Sequence, residues 1–182
     1  CRIKMNLKPY ISNLKSGFSL VEAIVAIGVI SVGFVVSLVL ISKSSAQASA
    51  LKDRVVAAHL AAEGIEVVRN IRDTNYLKGS PRLTDIPDTL HGIIDYNSAS
   101  VDDSDTSDAR KCMNWDGNTY KHAASPSYAC STSFKSHLEI ATKTETISGN
   151  NISYLEIKSI VEWKEKGLNQ SLTVIEHLYD WK

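Results

Sequence analysis

A net charge of either sign is what this chain lacks. Its 182 residues hold 20 Lys and Arg against 20 Asp and Glu, which argues against a nucleic-acid binder working through bulk positive charge. No phosphate-binding glycine loop and no G-x-S-x-G element occurs, and His59, His91, His122, His137 and His177 stand in no recognisable motif. No catalytic residue, enzyme activity or cofactor is therefore expected. Cysteine is limited to Cys1, Cys112 and Cys130. With the scattered histidines they show no zinc spacing, so no metal site is expected. Proline is sparse, and none lies between Pro9 and Pro81.

What is present is unevenly distributed. Residues 1–17 contain Arg2, Lys4, Lys8 and Lys15 and no acid. The remainder has 16 basic and 20 acidic residues, a net of −4. The zero is thus the sum of a basic leader and an acidic body. The chain begins with Cys1 rather than Met, which points to a start further upstream.

From Phe18 to Ile41 the sequence is almost wholly apolar, and Ala23 to Ile41 carries no charge. As a helix, residues 18–41 would span about 36 Å, enough for a hydrocarbon core of about 30 Å. A buried core helix would show a polar face over that length. Glu22 is the exception in the run. A carboxylate there either rests at the membrane interface or has a partner and a function. A secretory signal peptide is the rival reading, with cleavage after Ala48 at Ala46-Gln47-Ala48 or after Ala50 at Ala48-Ser49-Ala50. Against it stand the length of the run and the acid near its start.

The segment Lys15-Ser16-Gly17-Phe18-Ser19-Leu20-Val21-Glu22 and the apolar run behind it resemble the N-terminus of type IV prepilins and of type II secretion pseudopilins. The resemblance in this motif covers residues 15–41. It implies cleavage after Gly17 by a membrane-embedded prepilin peptidase and N-methylation of the new terminus, Phe18. It also implies that Glu22 meets the charged N-terminus of a neighbouring subunit during filament assembly. The partners it implies are that peptidase, other pilin subunits, an inner-membrane assembly platform and the membrane itself. Nucleic acid is not among them. The localisation it implies is single-pass in the inner membrane with an extracytoplasmic head, and then a filament. Many major pilins carry a proline midway along the apolar half. Its absence here points to a minor pilin or pseudopilin. A tip-located binding or adhesion subunit is the alternative within the family.

Residues 42–73 continue as an amphipathic helix, with Leu51, Val55, Leu60, Val67 and Ile71, joined by Val56 and Val68, at helical spacing. Residues 74–135 are rich in Gly, Pro, Ser, Asp and Asn and read as loop with short elements at most. Within them Asp102 to Asp108 concentrates four aspartates. The spacing is not that of an EF-hand loop, and a solvated acidic loop is expected ahead of a calcium site. Removal of residues 1–17 would leave Cys112 and Cys130 as an even pair, for which an extracytoplasmic head implies a disulfide. Residues 136–182 form the antiparallel part. Three strands are expected at about 137–147, 152–164 and 170–179, with a turn at Lys166-Gly167-Leu168-Asn169. Trp163 and Trp181 read as packing residues. The expected class is α+β: a long N-terminal helix, its apolar half for membrane or filament core, packed on an antiparallel sheet head, as in pilins.

Overall fold

The computed structural model describes Gly17 and residues 19–81, 83–104, 107–123, 130–147 and 150–179, without the side chains of Ile147 and Asn150. The chain divides into two units, Cys1–Gln47 and Ala48–Lys182. Helix α1, Leu20–Leu77, contributes to both.

In the first unit the Ser19 carbonyl accepts the first helical hydrogen bond, from the Ala23 N–H at 3.1 Å. Ser19 is therefore the N-cap and Glu22 falls in the first turn, the spacing of a capping box. An acid there also faces the positive end of the helix dipole. Every Val, Ile, Leu and Phe from Leu20 to Ile41 is exposed. The two serines inside this stretch satisfy themselves: Ser31 donates to the Gly28 carbonyl at 2.9 Å and Ser37 to the Gly33 carbonyl at 2.8 Å. Neither hydroxyl needs water or a partner chain, which suits an apolar surrounding.

The second unit is the α+β head. The helix runs on to Leu77, past the end near residue 73 that the sequence suggested. It closes in a Schellman motif, with the Ser80 N–H on the Asn75 carbonyl at 3.0 Å and the Gly79 N–H on the Tyr76 carbonyl at 3.1 Å. Gly79 takes the left-handed conformation this cap requires, at φ 70°. Asn75 is buried and donates from Nδ2 to the Thr84 carbonyl at 2.6 Å, tying the returning chain to the helix.

Among the described residues six strands follow: β1 Thr89–Gly92, β2 Met113–Trp115, β3 Tyr120–His122, β4 Lys135–Ile147, β5 Asn150–Glu165 and β6 Leu168–Tyr179. Four make one antiparallel sheet in the order β1-β4-β5-β6, and β2-β3 form a separate hairpin. The three expected strands are thus joined by a fourth. β1 escaped detection because four residues, Thr-Leu-His-Gly, carry no period. The β5–β6 turn is tighter than expected, with only Lys166 and Gly167 between the strands, both at positive φ (50° and 82°). That is the hairpin turn whose twist matches the strands.

Alternation decides which sheet face meets the helix. Leu155, Ile157, Ser159, Val161 and Trp163 of β5, with Leu138 and Ile140 of β4, are buried. Two apolar clusters result. One gathers Ile65, Val68 and Ile71 against Leu138, Ile140, Leu155, Ile157 and Leu178. The other sets Ala57, Leu60 and Ala61 against Met113, Phe134, Val161 and Trp163. Each large side chain so buried contributes roughly 1.5–3 kcal/mol. Leu51 and Val55, expected on the packed stripe, are 60% and 55% exposed. The buried line of the helix includes the small residues Ala57, Ala61 and Gly64, which let the backbone approach the sheet. At Gly64 a Cβ would lie 2.9 Å from Ser159 Oγ and 3.3 Å from Leu138 Cδ2.

Candidate functional site

The candidate processing site lies at the start of the first unit. Gly17 is exposed and outside the helix, and a Cβ built on it would meet nothing within 4 Å. Phe18, the expected methylation site, lies outside the described residues. Two residues beyond it the helix begins, so Glu22 is presented on the exposed first turn. Sequence and structure agree in placing Gly17 and Glu22 on either side of a helix start. They are brought together by chain proximity alone. The stretch that follows is long and apolar enough to cross a membrane once, and its apolar window is wholly unburied.

The head carries the remaining candidates. Cys112 and Cys130 are joined in a disulfide, with Cα atoms 5.4 Å apart. The bond closes around the β2–β3 hairpin. Cys112 is buried while Cys130 is exposed, so one sulfur anchors the hairpin and the other faces its surface. The acidic loop is engaged in ion pairs. Asp102 accepts from the Ser104 hydroxyl at 2.6 Å and the Ser104 backbone N–H at 3.0 Å, and these, joined by Arg110 at 2.5 Å, hold its carboxyl below the usual range. Asp108 pairs with Lys135 and Lys111. Asp105 lies outside the described residues. The Asp102 and Asp108 carboxylates stay exposed, at 43% and 68%, while pairing with cations of the chain itself, in keeping with a solvated acidic loop. Among the described residues no group of three or more His, Cys, Asp or Glu is arranged to hold a metal.

Sequence reasoning missed a polar node at the centre of the head. The His122 side chain is 4% exposed. Its Nδ1 lies 2.8 Å from Asp95 Oδ1 and its Nε2 lies 2.9 Å from the Ser136 carbonyl. Both partners are acceptors. The His122 backbone N–H donates to the same carboxylate oxygen at 2.9 Å. Burial pushes the Asp95 carboxyl up, but these hydrogen bonds outweigh it and hold it below the usual range. Glu63 on α1 feels the same node: burial, then the Asp95 charge, push its carboxyl up, and His122 opposes them. Residues 63, 95, 122 and 136 are far apart in the chain, and no local pattern marks them. The node ties helix, loop, hairpin and sheet together.

Elsewhere His91 on β1 and His137 on β4 meet, with ring centroids 5.9 Å apart. A cleft of about 630 Å³ lies where β5 turns into β6, with Asp108, Lys135, Glu162 and Lys164 among its walls. Trp163 is 6% exposed and packs on Phe134, with centroids 6.4 Å apart, in keeping with its reading as a packing residue. Trp181 lies outside the described residues.

No protein-family model matches this chain, and neither a curated protein nor a solved structure matches it with statistical significance.

Proposed function

We propose that this chain is a structural subunit of a type IV pilus or of a type II secretion-like filament, in the manner of a minor pilin or pseudopilin. A prepilin peptidase cuts after Gly17 and methylates the amine of Phe18. The subunit is held in the inner membrane by residues 18–41 and then passes through an assembly platform into a filament. There the apolar helices pack on one another, and Glu22 pairs with the terminal amine of a neighbour.

One observation carries this reading. The helix begins just past the Gly17-Phe18 junction, puts an acid in its first turn, and continues as an apolar surface that no described residue covers. A bare apolar surface of this extent needs lipid or copies of itself. A carboxylate in such a setting is costly without a cation beside it. The exposed, non-helical backbone at Gly17 suits an enzyme that must take the chain in an open conformation.

The test is to co-express the full chain with a prepilin peptidase and measure the mature N-terminus by mass spectrometry. The expected product starts at methylated Phe18. Replacing Gly17 by Glu abolishes it, and Glu22→Ala leaves cleavage intact while reducing incorporation into filaments. A product starting at Ser49 refutes the reading in favour of a secretory signal peptide. The polar cleft by β5 and β6 favours one variant, a tip subunit with a ligand of its own. Locating the subunit along the shaft by immunogold labelling would exclude it.

A further inference from the structure

Native proteins seldom leave a buried ring nitrogen without a partner, and such atoms point to a missing water or ion. The head has two of them side by side. His91 Nδ1 and His137 Nδ1 are both buried, and neither has a hydrogen-bond partner among the described residues. His137 as a whole is 6% exposed. The rings are tilted by 40° with centroids 5.9 Å apart. The strand register explains the meeting. Gly92 of β1 faces Leu138 of β4, and the histidines are the preceding residues on the two antiparallel strands, hence diagonal neighbours.

The geometry points to a site for a divalent transition-metal ion, Cu²⁺ or Zn²⁺, held by the Nδ1 atoms of His91 and His137 with water completing its coordination. Imidazole suits both metals. With nitrogen about 2.0 Å from the metal and the ring centre about 1.1 Å behind it, two imidazoles on one ion place their centroids about 5 Å apart at a tetrahedral angle and about 6 Å apart when opposed. The observed separation falls between these limits.

The surroundings bear on the charge state. Burial, then the charges of Lys111 and His91, depress His137 to about 4, while Glu139 and Asp108 act in the other direction. Lys111 opposes an incoming cation; Glu139 and Asp108 offset it. The ion would staple β1, which meets β4 at only two register positions, Thr89 to Ile140 and Gly92 to Leu138. The site lies wholly in the head and is independent of the filament reading.

The test uses the metal-free full chain in detergent, with the Cys1 thiol alkylated, titrated with Cu²⁺ at pH 7 and read by electron paramagnetic resonance. One ion per chain with hyperfine coupling to two nitrogens is expected. Zn²⁺ added alone should raise the melting temperature, and Cu²⁺ should displace it. His91→Gln, at a half-buried position on an edge strand, should weaken binding at least tenfold, whereas His59→Gln and His177→Gln should bind as the parent does. Coupling to a single nitrogen, unchanged affinity in His91→Gln, or no uptake of either metal overturns the proposal. The nitrogen count is read on the parent chain, so the outcome does not depend on how well any variant folds.

Discussion

Gly64 is where the helix comes closest to the sheet, and its replacement by alanine can be worked through. In a helix interior, Gly→Ala normally stabilises by about 1 kcal/mol. Here the added Cβ would sit 2.9 Å from Ser159 Oγ and 3.3 Å from Leu138 Cδ2, while Ser159 Cβ would be 3.7 Å away. The first contact is too short to stand, the second is tight, and the third is ordinary. Overpacking of this kind costs roughly 1–3 kcal/mol. Gly64→Ala should therefore destabilise by about 1 kcal/mol net, near 3 °C in melting temperature for a chain of this size. Ser159 is fully buried, and its hydroxyl has no hydrogen-bond partner among the described residues, so Ser159→Ala alone should be neutral or stabilising. In that background the offending oxygen is gone, and Gly64→Ala should become close to neutral or favourable. The coupling between the two sites should be about 1–2 kcal/mol. Urea unfolding of the four chains in detergent, followed by tryptophan fluorescence, measures it. An alanine at 64 that costs the same in both backgrounds, or that stabilises the parent, would refute the claim that Gly64 is kept for close approach.

Three further outcomes are expected. Replacing Cys112 and Cys130 by alanine should cost roughly 3 kcal/mol on the chain-entropy account of a loop this size, and should speed proteolysis between β2 and β4; unaltered cleavage would show the hairpin held without the bond. Asp95→Asn removes a half-buried carboxylate that accepts from both the ring and the backbone of His122, so a loss of about 2 kcal/mol is expected, read as a shifted urea midpoint. Burial, then the charges of Lys111 and His91, push the folded His137 ring down to about 4 from its ordinary value of about 6.5. Its folded state is favoured above the unfolded pKa, and this contribution fades as pH falls from about 6.5 through about 4. His137→Gln should flatten the decline of stability across that window, and an identical slope in parent and variant would dismiss the account.

Periodicity made the architecture readable wherever elements were long. The alternation of Leu155, Ile157, Val161 and Trp163 announced β5, and the uncharged run announced the first half of α1. Reading failed where the signal was short or made of small residues. Large aliphatics drew attention to Leu51 and Val55, while contact with the sheet is made through Ala57, Ala61 and Gly64. The end of the helix was written in Gly79 and Pro81, but the polar residues from Asp73 onward masked it. The candidate processing site was legible because Gly17, Phe18 and Glu22 are contiguous. The His122 node and the His91–His137 pair were not, because their members come from different strands and loops. Only the register of the sheet brings His91 and His137 within reach of each other.

The disulfide also has a consequence for protein engineering. Both strands of the β2–β3 hairpin lie between Cys112 and Cys130, whose Cα atoms are 5.4 Å apart. The hairpin is thus a closed ring with a fixed neck. Its turn, from Asp116 through Gly117 at φ 98° to Thr119, is fastened by the Asp116 carboxylate accepting the Asn118 and Thr119 N–H groups at 2.9 and 2.8 Å. Doubling the length of such a ring costs only about 0.6 kcal/mol in closure entropy. A foreign epitope spliced into that turn would be carried beyond the neck and leave the helix–sheet core alone, which makes this ring the natural display position of the head.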